Sequence, residues 1–168
     1  MADIEYRGFD PELDDVVQIT EMLHRAYKRL KDMNLLFNAT HQPPERTLRR
    51  LVLGSSYVAV ADGKVVGTVT VCPPKLEEPV ETFFDREDVA HFEQFGVDPD
   101  FQEHGVGRKL LGLVEEEARQ MGAKFIALDT AEPALHLIKM YERWGYRIVD
   151  LVDWGGVNYL SVIMAKKL

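Results

Sequence analysis

The hydrophobic and polar positions of the chain follow two patterns, one typical of strands and one typical of helices. Short apolar segments bounded by turn residues predict strands, whereas longer segments with apolar residues at three- and four-residue steps predict helices. The seven predicted strands are residues 4–7, 57–61, 65–71, 92–97, 124–128, 148–154 and 158–164. The order along the chain is strand, two helices, three strands, helix, strand, helix and two strands. This order predicts an α/β fold.

Capping and turn signals indicate where three of the helices begin and end. Asp10, followed by a proline, is typical of an N-terminal cap and predicts a first helix within residues 10–30. The second helix is predicted to follow Pro43-Pro44 and to end at Gly54. The third and longest is predicted over residues 106–121 and leads into strand 124–128.

Asp62-Gly63 predicts a two-residue hairpin turn between strands 57–61 and 65–71, although Lys64 could lengthen it. These two strands are therefore expected to be antiparallel. Strand 124–128 returns after a long helix, so it is expected to run parallel to strand 92–97.

Length and composition predict one compact domain covering residues 1–168. A chain of 168 residues with 46% hydrophobic content can bury roughly 70% of the surface that its unfolded form exposes. No segment approaches the roughly 18 apolar residues that span a bilayer. Residues 1–5 are acidic, whereas a signal peptide begins with a basic segment. We therefore expect a cytoplasmic protein without a membrane partner.

The formal net charge of −8 argues against a nucleic-acid partner, which would need a basic face. Acidic residues are concentrated between positions 77 and 88, where they would attract a cationic molecule, although a solvated loop is the simpler explanation. Cys72 is the only cysteine and stands in an apolar strand, so it is expected in the core. His24 and His136 lack a second ligand at zinc spacing, and no metal is expected.

The strongest chemical signal is the run Gln102-Glu103-His104-Gly105-Val106-Gly107-Arg108, which lies between strand 92–97 and the longest helix. Its two glycines would let the backbone approach a ligand, and the start of the helix offers unpaired N–H groups to an anion. The turn therefore predicts a cradle for a diphosphate. A glycine turn needed only for tight packing would have the same pattern.

Two common nucleotide-binding motifs do not fit this run. A P-loop would need Ser or Thr after a Gly-Lys pair, but the chain has Gly107-Arg108-Lys109-Leu110. A dinucleotide-binding fingerprint would need a third glycine at position 110, where the chain has leucine.

Gln102, Gly105 and Gly107 resemble the Gln/Arg-x-x-Gly-x-Gly/Ala signature of the GCN5-related N-acetyltransferases, the GNAT family. Val97-Asp98-Pro99 stands five residues before the glutamine, as the Val-x-Pro of that family does. A second motif, from Tyr141 to Tyr146, is similar to the family's Leu-Tyr-x-x-x-Gly-Phe. The resemblance extends over nearly the whole chain.

The resemblance implies a GNAT-like α/β domain with a mixed, mostly antiparallel sheet of six to seven strands and helices on both faces. It also implies acetyl-CoA as co-substrate. One departure is Ala134, which replaces an asparagine usually found seven residues before the tyrosine. A side-chain contact to the cofactor is therefore expected to be missing there.

In this family the backbone of the glycine turn binds phosphate, and a strand bulge frees amides for the pantetheine arm. The residues that the resemblance implies for cofactor binding are Phe95, Val97, Gln102, Glu103, His104, Gly105, Val106, Gly107 and Arg108. The side chains of His104 and Arg108 would add charge at the phosphates or would simply be solvated.

The resemblance also implies an acid and a base. Tyr141 is the candidate donor of a proton to the leaving thiolate, and its alternative role is packing. A regular strand would place His91, Glu93, Phe95 and Val97 on one face, which makes Glu93 and His91 the candidate bases beside water. A bulge near Phe95 would change which residues share that face.

The acceptor pocket of this family often lies between the first two helices. The candidate residues there are Asn34, Phe37, Asn38, Thr40 and His41, together with the turn around Trp154. An ordinary surface loop would carry the same residue types.

We expect an N-acetyltransferase that transfers acetyl directly from acetyl-CoA to the primary amine of a small molecule. Three alternatives stay open: acetylation of protein lysine or N-terminal amino groups, a CoA-binding module without turnover, and an unrelated phosphate-binding α/β protein. A homodimer is also open. The sequence does not identify the amine, and it does not decide between acetyl and a longer acyl group.

Overall fold

A computed structural model describes residues 3–168 and contains one seven-stranded mixed sheet. The strands are β1 Ile4–Gly8, β2 Ser55–Ala61, β3 Lys64–Cys72, β4 Val89–Val97, β5 Phe125–Ala131, β6 Arg147–Val152 and β7 Ser161–Lys167. Their spatial order is β1-β2-β3-β4-β5-β7-β6, and β4–β5 is the only parallel pair. The expected mixed, mostly antiparallel sheet is confirmed. Met1 and Ala2, the start of the acidic N-terminal segment, lie outside the described residues.

Within residues 3–168, five α-helices cover the two faces of the sheet. They are α1 Val16–Ala26, α2 Lys28–Asp32, α3 Pro44–Leu53, α4 Val106–Gln120 and α5 Leu135–Arg143. Buried residues of α1 and α3 pack against β2 and β3 from one side, and those of α4 and α5 pack against the central strands from the other. The prediction of helices on both faces is therefore confirmed. Among the helices of residues 3–168, none is both long enough and apolar enough to cross a membrane.

The first helix begins later than the sequence predicted. Asp10 accepts a hydrogen bond from the Glu12 backbone in a turn, and Asp15 is the cap of α1. The carboxylate of Asp14 pairs with Arg7 of β1 at 2.7 Å and connects this segment to the strand. Leu13 lies in the turn before the helix and is 73% exposed.

The hairpin between β2 and β3 has the predicted two-residue turn. Asp62 and Gly63 have φ angles of +49° and +76°, as a type I′ turn requires. Ala61 pairs directly with Lys64, so the lysine belongs to β3 and does not lengthen the turn.

Cys72 is a core residue, as predicted. Its side chain is fully buried at the end of β3. Burial, together with the nearby carboxylates of Glu93 and Glu77, raises the pKa of the thiol to about 12. A thiol with this pKa is a poor nucleophile at neutral pH.

The central strand β4 has a bulge at the predicted place. Glu93 pairs with Thr70 and Gly96 pairs with Thr68, so Gln94 and Phe95 together lie opposite a single residue of β3. Gln94 has a left-handed φ of +52°. The extra residue reverses the alternation of side chains along the strand.

Because of the bulge, His91, Glu93, Phe95 and Val97 do not share the one face that a regular strand would give them. His91 and Glu93 precede it, and Glu93 bonds to a side chain of α3 on one side of the sheet. Phe95 and Val97 follow it and lie on the opposite side, where a Cβ on Gly107 of α4 would meet both of them. A regular strand would not separate these two pairs of residues.

Candidate active site

A cleft opens where the two parallel strands separate. The pairing of β4 with β5 runs only from Val89↔Phe125 to His91↔Ala127. Beyond that point the facing edges border a cavity of about 600 Å³. Residues of β4, β5, the α4 turn, α5 and the segment from α1 to α3 line it. The cleft therefore lies at the carboxyl ends of parallel strands, a common position for ligand sites in α/β proteins.

The glycine turn forms one wall of this cleft. Gly105 is the N-terminal cap of α4 and has a φ of +83°, which glycine adopts without strain. A Cβ on Gly107 would lie 3.2 Å from the ring of Phe95, so a side chain there would fill the space above the turn. The Gln102 amide donates to the carbonyl of Val97 at 2.9 Å and ties the turn to the end of β4. These residues fit a diphosphate at the first turn of a 15-residue helix.

The side chains of the turn contribute unequally. Gln102, Glu103, Gly105, Gly107 and Arg108 line the cleft. The Val106 side chain is buried in the core, so this residue can offer only its backbone. His104 is exposed and lies outside the cleft lining, so its predicted contact with phosphate has no support in the geometry.

Arg108 brings positive charge to the turn and is held by a buried carboxylate. Its Nη1 lies 3.5 Å from Oε1 of Glu115, which also accepts from the Tyr146 hydroxyl and from Lys166, each at 3.1 Å. Nη1 of Arg108 is buried without a hydrogen-bond partner in the described part of the chain. The ion pair with Glu115 therefore holds the Arg108 guanidinium beside the glycine turn, where its positive charge suits a negatively charged ligand.

The two candidate bases are in different environments. Glu93 lines the cleft, and its Oε1 accepts from Nε of Arg50 at 3.1 Å. His91 lies outside the cleft lining, with Nε2 3.9 Å from Glu77 and its ring 5.3 Å from that of Phe84. Glu93 is therefore the candidate base that lines the cleft, and His91 does not line it.

Tyr141 lies on α5 at the floor of the cleft and is 7% exposed. Its ring packs at 5.9–6.5 Å from the rings of Phe92, Phe95, Trp144 and Tyr146. Burial raises the pKa of its hydroxyl well above the ordinary 10, and the nearby Tyr27 and Asp129 act in the same direction. The hydroxyl therefore keeps its proton at neutral pH, as a proton donor must.

Asp129 is a cleft residue that the sequence analysis missed. The predicted strand ends at residue 128, one residue before Asp129. Asp129 is the only charged residue within β5. Its carboxylate faces the cleft and accepts from the Trp154 indole at 3.1 Å. Asp129 is exposed within the cleft, and desolvation by the protein atoms around it raises the pKa of its carboxyl. A lone acid in an apolar strand was the available signal.

Aromatic residues form the wall opposite the glycine turn. Phe37 stacks on Tyr159 at 5.0 Å and lies 5.8 Å from Tyr27. The Tyr27 hydroxyl donates to the Phe95 carbonyl at 2.6 Å, which satisfies a backbone group of the bulge. Burial raises the pKa of Tyr27 to about 12, so this donor stays protonated.

The predicted acceptor residues are divided by the structure. Phe37 and Asn38 line the cleft. Thr40 and His41 bond to each other at 2.8 Å outside the lining, and the Asn34 carbonyl accepts from Asn158. Trp154 acts on the cleft through its hydrogen bond to Asp129 and is not itself a lining residue.

Comparisons with known proteins agree with this architecture. The sequence model of the acetyltransferase (GNAT) family matches residues 17–146. The chain is 33% identical over 156 residues to S-(2-succino)cysteine N-acetyltransferase of Bacillus subtilis, which covers 92% of this chain and 91% of that protein. It is 24% identical over 140 residues to S-alkylcysteine N-acetyltransferase of the same organism, covering 81% and 75%.

The fold is also that of a solved N-acetyltransferase. The crystal structure of the PaiA N-acetyltransferase of Thermoplasma acidophilum in complex with coenzyme A superposes with a TM-score of 0.75. The match covers 99% of each chain at 17% sequence identity, so it supports the fold.

Substitution of Gly107 by valine should weaken binding of acetyl-CoA. The new side chain would occupy the space beside Phe95 above the turn, and we expect a loss of affinity of about tenfold or more, which is at least ~1.4 kcal/mol. Isothermal titration calorimetry measures the effect. Gly112→Ala is the matched control, because a Cβ there meets open space on the same helix. Unchanged affinity in folded Gly107→Val would contradict a cradle at this glycine.

Proposed function

This chain belongs to the GNAT family of acetyltransferases, and from that membership we propose that it acetylates the primary amine of a small molecule. Members of the family use acetyl-CoA as the acetyl donor. The observation that carries the proposal is one cleft that has the glycine turn at the start of α4 on one wall and the carboxylate of Glu93, the candidate base, on another. Two relatives that are named for small cysteine derivatives support a small acceptor.

The cradle and the bulged strand would hold the cofactor. Backbone N–H groups at the start of α4 would bind the phosphates, with Arg108 adding charge. Backbone groups of Phe95 and Val97, beyond the bulge, would bind the pantetheine arm. Ala134 is buried before α5 and carries no polar side-chain atom, so it would add no hydrogen bond to the cofactor.

Acetyl-CoA supplies an activated acetyl thioester: the amine nitrogen bonds to its carbonyl carbon, and the sulfur leaves with the electron pair of the broken C–S bond. Tyr141 would give its hydroxyl proton to that sulfur. Burial raises the pKa of this hydroxyl, so the hydroxyl carries its proton at neutral pH, as the role of proton donor requires.

Glu93 would take the proton that the amine loses. An alkylamine has a pKa of about 10.4 and is mostly protonated at pH 7, so attack requires a base. One carboxylate oxygen of Glu93 accepts from Arg50, which leaves the other for the amine or for a bridging water. His91 does not line the cleft, and bulk water is the remaining alternative base.

A paired assay tests the function. Thermal unfolding with acetyl-CoA reports binding, because a ligand bound only by the folded state raises the free energy of unfolding by about 2.7 kcal/mol at a hundredfold excess over Kd. Thiol release across a panel of small amines, amino acids and peptides reports turnover. Binding with release on small amines supports the proposal. Release on peptides alone identifies a protein acetyltransferase, and binding without release identifies a CoA-binding module.

Tyr141→Phe should retain cofactor binding and lose turnover by roughly 10²–10⁴-fold, the usual contribution of a positioned proton-transfer group. The ring and its packing stay, and only the donor is removed. Tyr57→Phe is the matched control, because that hydroxyl bonds to Glu117 outside the cleft. Turnover of Tyr141→Phe equal to that of the parent would assign the residue to packing.

Glu93→Gln should be most harmful at low pH, where the amine is protonated, and its activity should recover as pH rises toward the amine's pKa. The amide oxygen can still accept from Arg50, so the local structure is kept. The pH dependence of kcat/KM measures the effect against Glu116→Gln, an exposed residue on α4. A Glu93→Gln profile parallel to that of the parent would exclude this carboxylate as the base.

A further inference from the structure

Arg50 is a cation held in one place at the edge of the cleft. It lies on α3, its side chain is 18% exposed, and it lines the cavity. Its Nε donates to Glu93 at 3.1 Å and its Nη1 donates to Oε1 of Gln42 at 2.9 Å. Two hydrogen bonds in different directions fix the plane of the guanidinium.

A buried network holds Gln42 in turn. Gln42 is fully buried, and its Nε2 donates to Oγ1 of Thr47 at 2.9 Å and to Oε1 of Gln94 at 2.8 Å. Gln94 donates to the Thr47 carbonyl at 3.2 Å. Each of these partners belongs to α3 or to the bulge of β4. The position of Arg50 is therefore set by the same contacts that hold the bulge.

The guanidinium has donors left over after these bonds. It carries five N–H groups, of which two serve Gln42 and Glu93. The others have no protein acceptor in the described part of the chain, and no nitrogen of Arg50 is both buried and unpaired there. Since Arg50 lines the cleft, its free donors are available to a ligand in it.

Opposite charges lie next to this cation. Glu93 is in direct contact with it, and Asp129 lines the same cleft. The other arginines of the lining belong to different elements and make no hydrogen bond to Glu93: Arg29 on α2, Arg108 on α4 and Arg143 on α5. Arg50 and Glu93 thus form an adjacent pair of opposite charges facing one ligand.

We propose that Arg50 binds the carboxylate of an α-amino acid whose amine lies beside Glu93, so that Arg50 selects zwitterionic acceptors. In an α-amino acid the nitrogen and the carboxylate carbon are both bonded to Cα and lie about 2.5 Å apart. This separation is comparable to the 3.1 Å between Nε of Arg50 and Oε1 of Glu93, so both protein groups can contact one amino acid. A planar guanidinium is also the side chain best suited to bind a carboxylate through two parallel hydrogen bonds.

This inference rests on the proposed function, since it assigns the substrate class of the same cleft. The aromatic wall of Phe37 and Tyr159 would then contact the side chain of the amino acid. An amine without a carboxylate would leave the free donors of Arg50 without a partner, which lowers affinity and not the capacity for transfer.

The test compares two acceptors that differ only by the carboxylate, S-methylcysteine and 2-(methylthio)ethylamine. We expect the parent protein to prefer the amino acid in kcat/KM. Arg50→Met should lower kcat/KM for S-methylcysteine about 10- to 100-fold more than for the amine, mainly through KM. Arg49→Met is the matched control, since Arg49 is the adjacent exposed arginine on α3 and has no ion pair or side-chain hydrogen bond in the described residues.

Arg50→Lys provides a second variant if the methionine variant does not fold. It keeps the charge and loses the planar fork, so the preference for the amino acid should fall to an intermediate value. Equal losses for the two acceptors would overturn the proposal, because they would mean that Arg50 acts only through Glu93. Equal use of both acceptors by the parent protein, or use of the amine alone, would overturn it as well.

The same measurements separate this inference from the proposed function. Thiol release with both acceptors at equal efficiency leaves the acetyltransferase assignment intact and removes the role of Arg50. Acetyl-CoA binding without thiol release on either acceptor or on any other small amine removes both.

Discussion

The backbone at Gln94 is the constraint on which both walls of the cleft depend. Its left-handed φ of +52° costs a non-glycine residue roughly 1–2 kcal/mol. Its side chain accepts a buried hydrogen bond from Gln42 and donates one to the Thr47 carbonyl, which offsets that cost, and the Tyr27 hydroxyl donates to the next carbonyl, that of Phe95. The resulting bulge sends Glu93 to the α3 side of the sheet and Phe95 to the α4 side. One strand thereby supplies residues to two different walls.

The two walls present charge by different physical means. At the start of α4, unpaired backbone N–H groups and a partial positive charge suit a phosphate, and they need no ionisable side chain. Across the cleft, the ion pair of Arg50 with Glu93 and the carboxylate of Asp129 suit a smaller ligand of mixed charge. Tyr141 lies on the floor between them, where aromatic packing fixes its ring and burial keeps its hydroxyl protonated.

Local signals in the sequence were sufficient for most of the fold. The two-residue hairpin turn and the glycine at the start of α4 depend on left-handed conformations that glycine and turn residues adopt within a few neighbouring residues. The cradle was predictable for the same reason, because strand, turn and helix are consecutive. The start of α1 was predicted too early, since Asp15 and not Asp10 caps the helix.

Tertiary structure alone decided which charged side chains line the cleft across from the glycine turn. Arg50, Glu93 and Asp129 come from α3, β4 and β5, and no local pattern joins them. A bulge of one residue moves every later side chain of a strand to the opposite face. The two-residue period therefore gives the face of Glu93, which precedes the bulge, but not the face of Phe95 relative to it. The sequence by itself determined the order of the strands and the glycine turn before α4. Long-range packing decided which side chains meet across the cleft, because their contacts join residues more than 35 positions apart.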